Sequence, residues 1–357
     1  MTAPDPKTKA EIEDQRPAAP PGLLSHDERN RLIQRGVHGL YRWYLSVSQA
    51  KRNWNPDLAF DWRKLRQDHS ADVHRVIEGF FAVEQYVPDY TELLIKMFRK
   101  EHGRSHFQIR WGAEEEKHAD LWYNALLFMR QRSPEWVRDY MQHLRSTAWE
   151  MLYDDPIKST AYVVIQERAT QLNYLNTALL AEGKMAGFED DADPVLAHAA
   201  KTIAVDEAAH YNFYLECLRL YLYYYPARTL EALHQVISDF AMPANRYIPD
   251  FQSFADALVK TCIYGPREYA RDVLQMVLDN LGIESRRALD RGIKASRNIP
   301  DGDTGELRTS AFFTFFDYEV IEDAVKRLFT RVKGFEAKVG FDALDPTVFV
   351  PSGMGSD

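Results

Sequence analysis

The chain has 357 residues, 45% of them apolar, enough to bury a full core in one large domain or two smaller ones. Its net charge of -9 excludes a general nucleic-acid binder and requires a local basic patch for any acidic partner. Two cysteines, Cys217 and Cys262, are too few for a disulfide framework or a thiolate metal site, so a reducing, cytoplasmic setting is expected.

Residues 1–22 are polar, charged and proline-rich; without an apolar stretch they read as a disordered tail and not as a secretory leader. No uncharged apolar run reaches the roughly eighteen residues of a membrane span. A helical pattern opens at Ser25-His26-Asp27 and runs toward Ala50, where Arg52-Asn53-Trp54-Asn55-Pro56 breaks it. Helical spacing resumes from Ala71 to Phe98 through Val73, Val76, Ile77, Phe80, Phe81 and Glu84, with Pro88 as a kink or stop. His102-Gly103-Arg104 reads as a turn, followed by helix from about Ser105 to Gln131. Ser133-Pro134-Glu135 and Asp154-Asp155-Pro156 are helix starts, the second leading to about Leu180. Gly183 to Pro194 reads as a loop, and helix continues from Val195 to Tyr224. Further helical patterns are broken at Met242-Pro243, Gly265-Pro266 and Asn298 to Gly305. No alternating strand pattern occurs. We expect one all-α domain over residues 23–340, with divergent helices from 283 and a tail at 341–357.

Two short patterns carry the chemistry. Glu114-Glu115-Glu116-Lys117-His118 and Asp206-Glu207-Ala208-Ala209-His210 both read acid-Glu-x-x-His. Residues three apart share a helix face, so Glu115 with His118 and Glu207 with His210 can each aim two donors at one point. A lone glutamate in an apolar stripe precedes each pair, Glu84 before the first and Glu167 before the second. An isolated buried carboxylate costs several kcal/mol and needs a proton, a cation or a metal. Four carboxylates and two imidazoles without thiolate suit two iron ions, with manganese the second choice, in a ferritin-like four-helix bundle with additional helices. Glu114 and Asp206 are placed to accept the second ring N–H of a ligand histidine on a facing helix. Outside this set, His143, His198 and His234 read as ordinary surface or core residues, and the tyrosines from Tyr211 to Tyr225 as packing.

These residues carry a resemblance to a known family. Trp111-Gly112-Ala113-Glu114-Glu115-Glu116-Lys117-His118 is similar to the WxAEENRH block of the soluble acyl-acyl carrier protein desaturases. Gln166-Glu167-Arg168-Ala169-Thr170 matches their QERAT segment, Asp206–His210 their DExxH block, and Glu84–Tyr90 the stretch around their first ligand glutamate. The likeness covers roughly residues 30–283. It implies a homodimeric helical enzyme whose di-iron centre, reduced by ferredoxin, uses O2 to introduce a double bond into an acyl chain on acyl carrier protein. Carried over, Glu84, Glu115, His118, Glu167, Glu207 and His210 become the iron ligands, with Glu115 and Glu207 as bridges. Thr170 takes the place of the hydroxyl beside the oxygen site, and Asp206 with Trp54 that of the electron route to a ligand histidine.

The chain departs from the family in a shorter connection between Glu84 and Glu115 and a longer one after Leu180, both of which bear on the shape of the acyl tunnel. Past about residue 283 no likeness is found, and Ala311–Lys333 reads as an extra amphipathic helix. A related di-iron oxygenase or oxidase is therefore the alternative. Basic clusters for an acidic carrier occur at Lys96, Arg99, Lys100, Arg104; at Arg286, Arg287, Arg291, Lys294; and at Lys326, Arg327, Arg331, Lys333.

Overall fold

Side-chain caps set where the long helices begin. Ser25 and Glu28 form a reciprocal capping box at the start of α1, His26–Trp43. Ser70 caps α2 (Ala71–Glu84), and Ser133 caps α5 (Pro134–Leu144). Asp155 Oδ1 accepts from the amides of Ile157 and Lys158 to open α6, Pro156–Ala181. Asp193 does the same with Val195 and Leu196 for α7, Pro194–Tyr224. Proline sits in the first turn of α5, α6 and α7, where its missing N–H costs nothing. The computed structural model describes residues 24–242, 244–284, 289 and 318–340. The expected tails at 1–22 and 341–357, the break at Asn298–Gly305 and the basic cluster at Arg286–Lys294 lie outside the described residues.

Four helices form the centre: α2, α4 (His102–Met129), α6 and α7. The last three bury side chains on almost every side, as a helix in the middle of a bundle must. Around them lie α1, α3 (Val87–Met97), α5, α8 (Pro226–Asp239), α9 (Phe251–Lys260) and α10. This last runs through Pro266–Glu268, a π-helical stretch Tyr269–Leu274, and Gln275–Asn280. Finally α11, Tyr318–Val339, packs across α1 and α7 and corresponds to the extra amphipathic helix expected there. A Cβ on Gly39 of α1 would overlap Val332 of α11, so the glycine permits this contact. Among the described residues there is no strand, and the fold class is the all-α one expected.

Three local expectations need correction. The helix from Ala71 does not run to Phe98: Gln85 and Tyr86 break it, and Pro88 lies in the first turn of a new helix, α3. His102-Gly103-Arg104 is no turn but the first turn of α4, and Arg104 is fully buried against the rings of Phe98 and Tyr214. That removes Arg104 from the basic surface cluster. The first helix also stops being regular at Trp43, continuing as a π-helical turn, Tyr44–Ser48, and a 3-10 turn, Gln49–Lys51. The π-helical turn is wider and the 3-10 turn tighter than the α-helix, irregularities that recur at functional sites.

Candidate metal centre

Each central helix contributes to one buried cluster. Glu84 ends α2, Glu115 and His118 lie mid-way along α4, Glu167 sits on α6, and Glu207 and His210 lie on α7. All six are at most 5% exposed. Two groups of four ligand atoms are each drawn together within 4.8 Å: Glu84, Glu115, His118 and Glu207; and Glu115, Glu167, Glu207 and His210. Glu115 and Glu207 belong to both. The imidazoles turn Nδ1 inward: His118 Nδ1 is 3.1 Å from Glu115 and 3.3 Å from Glu207. His210 Nδ1 is 3.0 Å from Glu115 and 3.5 Å from both Glu167 and Glu207.

The outward nitrogens explain this orientation. His118 Nε2 meets Asp206 at 3.3 Å, and His210 Nε2 meets Glu114 at 2.7 Å, the crossed pairing expected of the two acids. Holding Nε2–H against a carboxylate leaves Nδ1 as the inward donor. Burial pushes the Glu114 carboxyl up, but the His210 hydrogen bond, with Arg52 and Tyr44, outweighs it and holds Glu114 down at about 2. Asp206 is likewise lowered against burial, chiefly by His118 and Lys117. Other carboxylates are positioned by single hydrogen bonds. Tyr174 donates its hydroxyl to Glu84 at 2.6 Å, and Trp111 Nε1 donates to Glu167 at 3.0 Å.

The inner face fits cations. Glu115 Oε1, Glu167 Oε2, both oxygens of Glu207 and His210 Nδ1 are buried and make no hydrogen bond. So many orphaned ligand-type atoms facing one another would be costly unless cations occupy the space between them. Burial first, and then the neighbouring Glu115 and Glu207 respectively, push the carboxyls of Glu84 and Glu167 above the ordinary range. Burial alone would lower the two imidazoles. Glu115 for His118, and Tyr44 with Glu114, Glu115 and Glu167 for His210, instead raise both well above the ordinary value. The four carboxylates of the cluster balance two divalent ions in charge, and an oxygen-and-imidazole donor set suits iron or manganese. The cluster is therefore built to hold metal.

Behind the cluster a third layer joins both halves. Arg52 reaches Asp206 Oδ1 at 2.5 Å and Glu114 Oε2 at 3.2 Å, and donates to the Tyr44 hydroxyl at 2.6 Å. Tyr44 in turn donates to Glu114 at 2.6 Å. Trp54 Nε1 donates to Asp206 at 2.9 Å, its ring lies nearly parallel to that of His118, and Lys117 covers its face. Trp54 is half-buried and so links this layer to the surface. Neither Tyr44 nor Arg52 stood out in sequence, because the π-helical and 3-10 turns bring them together.

A cavity of about 460 Å³ lies beside the cluster, against Thr170 and Tyr174. Its inner wall includes Phe80, Val83, Thr170 and Tyr174; its outer wall includes Gln252, Asp256 and Val259 on the exposed side of α9. Thr170 thus lies one turn from Glu167 on the cavity side, with its hydroxyl donating to the Gln166 carbonyl at 3.0 Å. A Cβ on Gly79 would overlap the ring of Phe254, so this glycine lets α9 close over α2 and complete the wall. A second cleft, about 760 Å³, approaches Glu84 between α3 and α4 and is charged, with Lys96, Arg99, Glu116, Asp120 and Arg145 along it. Among the described residues no helix is long and apolar enough to cross a membrane. Cys217 is buried and Cys262 exposed, and both are free thiols.

Comparison with known proteins agrees with this geometry. Residues 47–300 match the family model described as fatty acid desaturase. Stearoyl-[acyl-carrier-protein] 9-desaturase 6, chloroplastic, of Arabidopsis thaliana is 28% identical over 228 residues, covering 60% of this chain and 56% of that protein. The stearoyl-[acyl-carrier-protein] 9-desaturase, chloroplastic, of Olea europaea is 25% identical over 247 residues, 65% of this chain and 61% of its own length. The matches thus span less than two thirds of these relatives. The X-ray structure of acyl-ACP desaturase DesA2 from Mycobacterium tuberculosis H37Rv superposes with a TM-score of 0.50 at 17% identity. It covers 73% of this chain and 98% of that one, and establishes likeness of fold.

Proposed function

From the premise that this chain belongs to the fatty acid desaturase family, whose curated members include acyl-carrier-protein desaturases, we propose that it is an O2-dependent di-iron desaturase acting on a carrier-bound acyl chain. The observation that carries this reading is the apolar cavity beside the buried Glu/His cluster, whose wall includes Thr170, one turn from Glu167, and Tyr174, which donates to Glu84. Glu84, Glu115, His118, Glu167, Glu207 and His210 would hold the metal, Glu115 and Glu207 belonging to both groups of ligand atoms. Two iron ions held there, once reduced, supply with O2 the oxidising power that removal of two unactivated hydrogens demands.

The remaining tasks fall to the protein. Saturated methylenes offer no polar handle, so position along the chain is selected by the shape of the cavity and its depth from the cluster. Phe80, Val83, Phe240 and Phe254 exclude water from that depth. Tyr174 and Trp111 each fix one carboxylate oxygen of Glu84 and Glu167, leaving the other to face inward. Thr170 presents hydroxyl lone pairs at the cavity wall, where they can accept a proton or hold a water. Trp54 and Asp206 form the proposed path for electrons from a ferredoxin-type donor to His118. A homodimer in the cytoplasm completes the reading.

The test is reconstitution with iron, reduction, and exposure to O2 in the presence of acyl chains on acyl carrier protein. The expected product is lighter by two hydrogens. Product heavier by one oxygen would replace desaturation with oxygen insertion, and a metal-loaded protein that consumes no O2 with any acyl substrate would end the proposal.

A further inference from the structure

We propose that the cavity is fitted to an acyl chain bearing a hydroxyl group, bound between Asn173 and Tyr264. This rests on the acyl-chain reading above and narrows it to a substrate class.

A cavity for a plain hydrocarbon gains from walls without unpaired polar atoms, since each buried donor or acceptor left alone costs more than a hydrogen bond contributes. Asn173 and Tyr264 of this wall carry such atoms. Asn173 is 5% exposed and lines the cavity; its Nδ2 donates to the Ala169 carbonyl at 2.8 Å, while Oδ1 is buried with no partner. The Tyr264 hydroxyl also lines the cavity and is buried with no partner. The two come from different elements that are tied together here. Asn176, one turn beyond Asn173 on α6, donates to the carbonyl of Ile263 at 2.8 Å, and Tyr264 is the next residue.

The turn that ends α9 fixes where Tyr264 stands. Cys262 has a φ of 57°, the left-handed region that an L-residue with a Cβ avoids. The turn is clamped by the amides of Ile263 and Tyr264, both donating to Leu258, and by the Thr261 hydroxyl donating to Ala257. Packing alone does not call for a tyrosine at this point; a phenylalanine would fill the same wall without stranding a hydroxyl.

The chemistry of the pair selects the ligand. Asn173 Oδ1 can only accept, and so can Thr170 one turn closer to the metal cluster, whose proton is already given to Gln166. Tyr264 can donate. A hydroxyl answers both, donating to Asn173 and accepting from Tyr264. A carbonyl or an alkene cannot donate, and the carboxylate of the lining, Asp256, stands on the exposed side of α9. Because Asn173 stands at a set distance along α6 from Glu167, the hydroxyl sits at one chain position relative to the methylene presented to the metal cluster.

The experiment is calorimetric binding of carrier-linked acyl chains to the metal-loaded full chain, comparing the saturated chain with isomers hydroxylated at successive positions. One isomer should bind about tenfold tighter than the plain chain, the worth of a well-made hydrogen bond. In N173L the hydroxyl of that isomer is buried against an apolar side chain and the ranking inverts. Y264F, which removes one atom from a half-buried ring and leaves the fold intact, should reduce the preference without inverting it. If every isomer binds no tighter than the saturated chain, and neither variant changes the ranking, water fills the polar pair and the proposal fails. Desaturation of the plain chain in that case leaves the parent reading standing. Absence of binding by every chain overturns both.

Discussion

The two copies of the acid-Glu-x-x-His pattern are near equals inside the cluster and unequal behind it. His118 backs onto Asp206, whose other contacts are the half-buried Trp54 and Lys117 together with Arg52, and this side reaches the surface. His210 backs onto Glu114, which meets Tyr44 and Arg52, and Tyr44 is enclosed by the rings of Phe107 and Phe213. Repetition builds one buried cluster of two ligand groups that share Glu115 and Glu207. The surroundings are unlike, with His118 linked to the surface through Asp206 and the half-buried Trp54, and His210 backed by enclosed rings.

The largest effect should come from what the halves share. E115Q or E207Q is expected to lower iron content from about two ions per chain to nearly none, whereas H118A and H210A each retain about one. Metal analysis after reconstitution decides this, and full occupancy in E207Q would show that the halves are independent. Next is Arg52, which touches both outer acids. R52M should destabilise the metal-free protein by about 3 kcal/mol in urea, because it removes the cation shared by two buried carboxylates.

The outer acids come third, and here the halves should part. D206N and E114Q are each expected to weaken metal binding about 10–100-fold by competition titration. Stopped-flow reduction by an external donor should slow in D206N and in W54F, but not in E114Q or Y44F. Equal slowing on the two sides would erase the proposed electron path.

The smallest effect lies outside both halves and serves as their control. Burial, and then His102, lower the His38 imidazole from 6.5 to about 4. The unfolded chain therefore binds a proton there before the folded chain does. Stability from this group is fully present above pH 6.5 and is lost as pH falls from 6.5 toward 4. H38Q should flatten that part of the stability profile while metal content stays unchanged.

Spacing made the inner residues legible. Three-residue intervals put Glu115 with His118 and Glu207 with His210, and the apolar stripes pointed Glu84 and Glu167 inward. Acidic residues next to them in sequence were legible too, because a facing helix had to supply a partner for each imidazole. Tyr174 could have been found by extending the face from Glu167 through Thr170. Arg52 and Tyr44 could not: in a regular helix they have no reason to meet, and the turns that unite them follow from packing against α4 and α7. The break at Gln85–Tyr86 and the buried Arg104 escaped for a related reason. Glycine and charged residues are ordinarily surface signals, and here neighbouring helices overrode them.

The contact between α1 and α11 bears on how the chain reaches its native state. Arg35 and Glu336 form a buried pair at 2.5 Å across 301 positions of sequence, beside the close approach of Gly39 to Val332. During synthesis α1 emerges well before α11, whose Glu336 lies 301 positions further along the chain. Nothing local can replace that partner, and closing so long a loop is slow. The bundle around the metal cluster can form first, and the first helix is secured last.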